Sequence, residues 1–274
     1  MIKELKKGDL EIVMATMNRD SLDFLIPMFP FCHFSEFSIL IINQTSEDKL
    51  LASDFLSVRV VNSFEKGLSK SRNLGLQNAH GKIVLLADDD EVFKEDFESI
   101  ILGAHNKYPE ADSICFSIEG SNGLLFKKYP SQTKLQLNNL DIFNILSIEI
   151  SLKKAVFEKL KNNFDTNFGL GSSFMMGEEA IFLSDLKNKK HKIIIVPKII
   201  AVHPAVSTDD KLNVEQRYYV LGAFLTRVPN HNYFKGVFLK FFFDIKQNKI
   251  KISQVFTALK SANRGKEDFL QLTK

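Results

Sequence analysis

The chain has 274 residues, 45% hydrophobic and 25% charged, enough for one large core with a small appendage. That composition excludes a disordered or fibrous chain, and no run approaches the roughly 18 consecutive apolar residues of a membrane-spanning helix. The net charge of +3 conceals a division, with −5 on residues 1–210 and +8 on residues 211–274. The basic tail also holds eight of the 25 phenylalanines, which predicts a greasy helical segment rather than a disordered one. Residues 1–19 contain no apolar signal core, and Cys32 and Cys115 stand far apart in apolar surroundings, as reduced thiols of a cytoplasmic protein do.

Along the chain, short runs rich in aliphatic residues recur at 11–16, 37–43, 58–63, 82–88, 113–118 and 192–197. Near-continuous apolar runs of this length suit strands buried on both faces. Helical spacing separates several of them, as in "DSLDFLIPMF" (20–29) and "LSKSRNLGLQNAH" (68–80). The alternation predicts an α/β fold with a mostly parallel sheet flanked by helices. Residues 119–145 read as a loop-rich excursion, and a boundary near residue 207 divides an α/β body, 1–207, from a basic helical extension, 208–274.

The stretch "KIVLLADDDEVF" (82–93) delivers three adjacent aspartates at the end of a buried strand. Adjacent carboxylates repel one another, so a cation is one expected occupant; Asp88 and Asp90 then serve a divalent metal with their hard oxygen donors. A solvated acidic turn capping the following helix is the other. In open α/β sheets ligands bind beyond the carboxyl ends of the strands, which is where these residues emerge. Glu178 and Glu179 open a further helical run after Gly177, either as dipole partners or as acids serving a substrate. His203 closes the apolar pair of runs "IIIVPKIIAV", a position that a structural histidine also fills. From Phe234, apolar residues at 237, 238, 241, 242 and 245 form one helical stripe flanked by Lys235, Lys240 and Lys246. That stripe, within 233–251, either docks on the body or lies on an anionic membrane.

The run "EKGLSKSRNLGLQNAHGKIVLLADDD" (65–90) resembles the signature of the family 2 glycosyltransferases of GT-A fold, bacterial glycan type, through Gly67, Ser71, Arg72, Asn73, Gly75, Ala79, Gly81, Asp88 and Asp90. Three further segments resemble that family, "IVMATMNR" (12–19) at the first strand, "ILIINQTSED" (39–48) at the second and "FGLGSSFMMGEEAIFLSDLKNKKHKIIIVPKIIAVHP" (168–204) on the acceptor side. The resemblance implies an inverting, metal-dependent transfer of a sugar from a nucleotide-diphosphate donor to a glycan or lipid-linked glycan. It places Thr16, Asn18, Arg19, Asn43, Gln44, Lys70, Arg72, Asn73, Asp88 and Asp89 around the donor. Mn²⁺ or Mg²⁺ falls to Asp88, Asp90 and His203, and the catalytic acids are Glu179, as base, and Glu178. Asn43 and Gln44 stand where the family commonly has acids, so a uracil base would meet neutral acceptors. No nucleic acid is expected as a partner, and a peripheral position on the cytoplasmic face of a membrane is implied for the tail. A sugar-phosphate nucleotidylyltransferase is the other enzyme considered, but "ATMNRDS" lacks the Gly-rich loop it needs; a non-catalytic nucleotide-sugar binder is the alternative from another class.

Overall fold

The computed structural model describes residues 4–158, 164–204, 212–229 and 232–273. Four parallel strands form half of the sheet: β1 (Leu10–Met17), β2 (Ser38–Gln44), β3 (Val58–Ser63) and β4 (Ile83–Ala87). Because successive side chains of a strand point to opposite faces, each apolar run feeds two cores. Ile12, Met14 and Leu85 join Phe29, Phe37, Phe93 and Phe97 on one face, where helix α2 (Phe97–Lys107) lies. Val13, Val84 and Leu86 pack on the other, beneath α1 (Leu68–Asn78) and α5 (Glu178–Asn188). Two short helices, α3 (Asn139–Phe143) and α4 (Lys154–Glu158), precede α5.

The sheet continues with β5 (Val92–Phe93), β6 (Ser113–Gly120), β7 (Ile150–Lys153) and β8 (Ile193–His203). Among the described residues it has eight strands in the order β3-β2-β1-β4-β7-β6-β8-β5. Only β7 and β5 run against the rest, so the mostly parallel sheet expected of a GT-A fold is present. The apolar run at 192–197 does not stop at its proline. Pro197 sits inside β8, where the register with β6 shifts between Cys115 and Ser117, and the strand carries on to His203. A residue without an N–H is tolerated at such an irregularity. The helical spacing of 20–29 is not realised as a helix; only the turn Asp23–Leu25 forms, and Leu25, Met28 and Phe29 are buried from it.

The expected boundary at 207 lies outside the described residues. Beyond it stand α6 (Val214–Arg227), α7 (Tyr233–Lys246) and α8 (Val255–Leu272). Helices α6 and α8 cross with their backbones touching: a Cβ on Gly222 would stand 1.9 Å from the Ala262 carbonyl oxygen, and one on Gly265 the same distance from that of Tyr219. Only glycine permits that approach. Val220 and Ala223 of α6 and Phe269 of α8 then press on Phe168 and Phe174, so this layer is packed against the body. Helix α7 docks through Val237 and Phe241, the latter stacked on Tyr218 at 4.9 Å. No helix among the described residues is long and apolar enough to cross a membrane.

Candidate active site

Strands β1, β2 and β4 end at one edge of the sheet, with Thr16 beside Asn43 and Met14 beside Ala87. Asp88, Asp89 and Asp90 therefore leave β4 next to the turn that follows β1. Each of the three takes a different partner. Asp89 accepts hydrogen bonds from the Thr16 hydroxyl and from Arg19, whose Nε and Nη2 lie 3.1 and 2.8 Å away. Pairing of Val92 with Val202 brings the end of β8 alongside, and His203 Nε2 meets Asp90 Oδ1 at 3.3 Å. That contact lowers the Asp90 pKa; in His203, burial opposes the charge but the Asp90 carboxylate outweighs it, and the pKa rises. Phe126, from the loop-rich excursion, packs edge-on against the His203 ring at 5.6 Å.

Asp88 turns to Arg72. Helix α1 carries that arginine on the face it lays against β1, and it can lie there because residue 75 is glycine: a Cβ would fall 2.4 Å from Val13 Cγ1. Arg72 is 3% exposed and donates to Asp88 at 3.3 Å, to Glu178 at 2.9 Å and to Glu179 at 3.3 Å. One guanidinium thus faces three carboxyl groups. Burial weakens its hold on a proton, but the Asp88, Glu179 and Glu178 carboxylates more than restore it, and its pKa rises. The acids compete for it. Burial and the neighbouring Glu179 push Glu178 up to about 8, with Arg72 opposing. Burial, with Glu179 and Asp90 nearby, raises Asp88 against the pull of Arg72. Glu178 is enclosed, whereas the Glu179 side chain keeps 19% exposure.

Residues 6–180 match the model of the family described as Glycosyl transferase family 2. The chain belongs to that family. It is accordingly a glycosyltransferase. Its fold is also that of S. aureus TarS: residues 1–349 of TarS superpose with a TM-score of 0.62 at 17% identity, covering 93% of this chain and 80% of that one. The same fragment in complex with UDP-GlcNAc gives 0.61 at 15% identity, covering 92% and 79%; in complex with UDP it gives 0.61 at 17%, covering 93% and 80%. No curated protein matches the sequence at a significant level.

Within this glycosyltransferase the other residues singled out by sequence divide by the company they keep. Asn18 adopts a left-handed φ of 55° and Arg19 follows it, at the turn beside Asp89. Asn43 is fully enclosed: its Oδ1 accepts the Arg19 N–H, and its Nδ2 donates to the Arg19 carbonyl and to Asn62. Gln44 accepts the Gly67 N–H at 2.8 Å. These two amides shape the turns around the cleft. Asn73 spends both ends of its amide on the backbone of Phe164, and Lys70 points away to Glu65 at the surface.

Glu91 was not singled out by the sequence. It is 1% exposed; Oε1 accepts the Asp88 N–H at 3.1 Å, and Oε2 has no hydrogen-bond partner among the described residues. Burial and the Asp88 charge push its pKa well up. Its contiguity with three aspartates was the available signal.

The donor set suits a shared cation site. No three His, Cys, Asp or Glu side chains among the described residues are arranged to hold a metal ion by themselves. Asp90 and His203 do offer one carboxylate and one imidazole 3.3 Å apart, with Asp88 on the same turn. Mg²⁺ and Mn²⁺ are habitually held by one or two carboxylates, the remaining places going to substrate phosphates and water.

Proposed function

We propose that the protein is an inverting glycosyltransferase that takes a sugar from a UDP-sugar to a hydroxyl of a glycan or lipid-linked glycan, in the cytoplasm. The observation that carries this reading is Arg72, which gathers Asp88 from the donor side and Glu179 from the acceptor side within 3.3 Å of one guanidinium. Glu179 is the base: it stands at the start of α5, is the more open of the two acids, and takes the proton of the attacking hydroxyl. In-line attack by that hydroxyl on the anomeric carbon inverts its configuration. Glu178, enclosed and held largely protonated at neutral pH, keeps Arg72 in place rather than accepting the proton. Asp90 and His203, with Asp88, would hold Mn²⁺ or Mg²⁺, which takes up charge on the departing diphosphate when bound. Arg19, fixed on Asp89, and Thr16 line the nucleotide side. The S. aureus TarS fragment crystallised with UDP-GlcNAc and with UDP supports a uridine donor.

The test is product formation from UDP-sugars and glycan acceptors after chelation and return of Mn²⁺. Glu179→Gln is expected to lower kcat by about 10² or more with the donor Kd nearly unchanged, because a base acts mainly in the transition state. If Glu178→Gln gives that pattern instead, the two roles are exchanged. Turnover of GDP-sugars in preference to UDP-sugars would overturn the donor assignment.

A further inference from the structure

The apolar stripe of α7 divides when the helix docks. Val237 and Phe241 turn inward against α6 and α8, while Phe238 and Phe242 remain 64% and 62% exposed. Leu239 and Phe243, at 41% and 40%, extend the exposed side, and Phe234 sits at its start at 61%. Three of these positions, 234, 238 and 242, follow one another at i, i+4 and i+8, so they line one side of a helix about 21 Å long. After the turn, Ile252 and Phe256 are 78% and 79% exposed. A contiguous apolar surface of this kind on a folded chain calls for an occupant.

The charges beside it say which. Between residues 233 and 260 the sequence holds six lysines and one acid, Asp244. That acid is withdrawn from the surface: it is 1% exposed, accepting from the Tyr218 hydroxyl at 2.9 Å and from Lys240 at 2.7 Å. Every exposed formal charge on this stretch is therefore positive. Lys235 and Lys246 flank the exposed phenylalanines, and Lys249 and Lys251 follow. A second copy docking through the same face would bring these lysines against their own counterparts, a repulsion that nothing on the face relieves. A surface that is itself anionic and also accepts phenylalanine rings relieves both demands.

We propose that the exposed face of α7, with Phe234, Phe238 and Phe242 at its centre and lysines around it, is a docking surface for an anionic lipid bilayer. The helix lies in the headgroup plane with its rings below and its lysines at the phosphates, the arrangement of an interfacial amphipathic helix. The inner half of the stripe stays on α6 and α8, so docking requires no unfolding of the layer. This inference stands apart from the chemistry of the cleft and does not depend on which sugar is moved.

Co-sedimentation of the full chain with vesicles tests it. Vesicles of phosphatidylglycerol and phosphatidylcholine should pellet the protein, pure phosphatidylcholine should not, and high salt should weaken the binding. Phe238→Asp with Phe242→Asp should lower the bound fraction at least tenfold while leaving the melting temperature and UDP binding unchanged, since both rings are exposed. Lys235→Glu with Lys246→Glu, which touches no packed side chain, should give the same loss of binding and guards against a folding defect in the first variant. No pelleting at low salt, or undiminished pelleting of both variants, overturns the proposal. So does a wild-type dimer that only the phenylalanine variant dissociates, which assigns the face to a second copy.

Discussion

Two arginines tie distant parts of this chain together, on different terms. Arg227 of α6 meets Asp165 at 2.6 Å and Asp185 at 2.7 Å, with its side chain 26% exposed. Arg72 of α1 is enclosed and divides itself among three carboxyl groups at 2.9 to 3.3 Å. The first is satisfied: its bonds are short, and the acids Asp185 and Asp165 outweigh the cost of its burial. The second is stretched among three acids in an enclosed place, where burial, with Glu179 beside it, pushes Glu178 up to about 8. Arg227 also faces more acid than base, but its partners Asp165 and Asp185 keep 13% and 28% exposure and water shares their charge. At Arg72 the excess of acid is enclosed instead, and that enclosure is what separates the site from a merely structural ion pair.

The contrast can be broken most strongly at Arg72. Arg72→Ala leaves three crowded carboxyl groups without a counter-charge, and a loss of about 3–5 kcal/mol in unfolding free energy is expected by denaturant titration, together with loss of turnover. Arg72→Lys should restore much of the stability but little of kcat, since an ammonium cannot span three carboxyl groups as a planar fork does. Arg227→Ala should cost less, about 1–2 kcal/mol, seen as a melting temperature lower by roughly 2–4 °C per kcal/mol. Its kcat for the remaining folded enzyme should be unchanged; a fall in kcat equal to that of Arg72→Lys would erase the distinction.

The smallest effect expected is that of pH on the Asp90–His203 pair. His203 has a raised pKa, so its contribution is complete below the unfolded value of about 6.5 and is lost as pH rises through the folded one. Asp90 has a lowered pKa, so its contribution is present above 3.8 and is lost as pH falls through the folded value. Between pH 6 and pH 8.5 only the first of this pair applies, and Glu178, pushed up to about 8, adds a decline of the same sign: the melting temperature of the metal-free protein should decline, and His203→Gln should remove only the histidine's share of that decline. Mn²⁺ competes with the same proton, so its affinity should strengthen over that range in the wild type.

Much of the α/β body was legible because its strands announce themselves. The runs ending at Thr16, Asn43 and Asp88 are apolar enough to be buried on both faces whatever their neighbours do, whereas the run ending at Ser63 forms the sheet's edge and is only partly buried. Strands β5 and β7, of two and four residues, carry no such pattern and exist because β8, β4 and β6 offer them backbone partners. The spacing of 20–29 imitates a helix, yet Pro27 interrupts it and the apolar side chains are wanted in the core. At the cleft, the acids were visible as strand-end and helix-start residues. That Arg72 would join them was not, since 106 residues separate it from Glu178 and only the fold closes that distance. The tail's stripe was visible but not its division, because periodicity tells which residues share a side and not how much of that side a neighbour covers.

The contact of Phe269 with Phe168 and Phe174 sets an order in time. A ribosome delivers the donor side first: β1, β2, β4 and the aspartates are all made before residue 91. The segment leading to Glu179 follows, but the aromatic wall behind it is complete only when Phe269 has been added, about 100 residues after Phe168. At roughly 5–20 residues per second that is an interval of about 5–20 s. During it Phe168 and Phe174 lack a partner that holds them in the finished enzyme, and a chaperone that shields aromatic surface has its opportunity then.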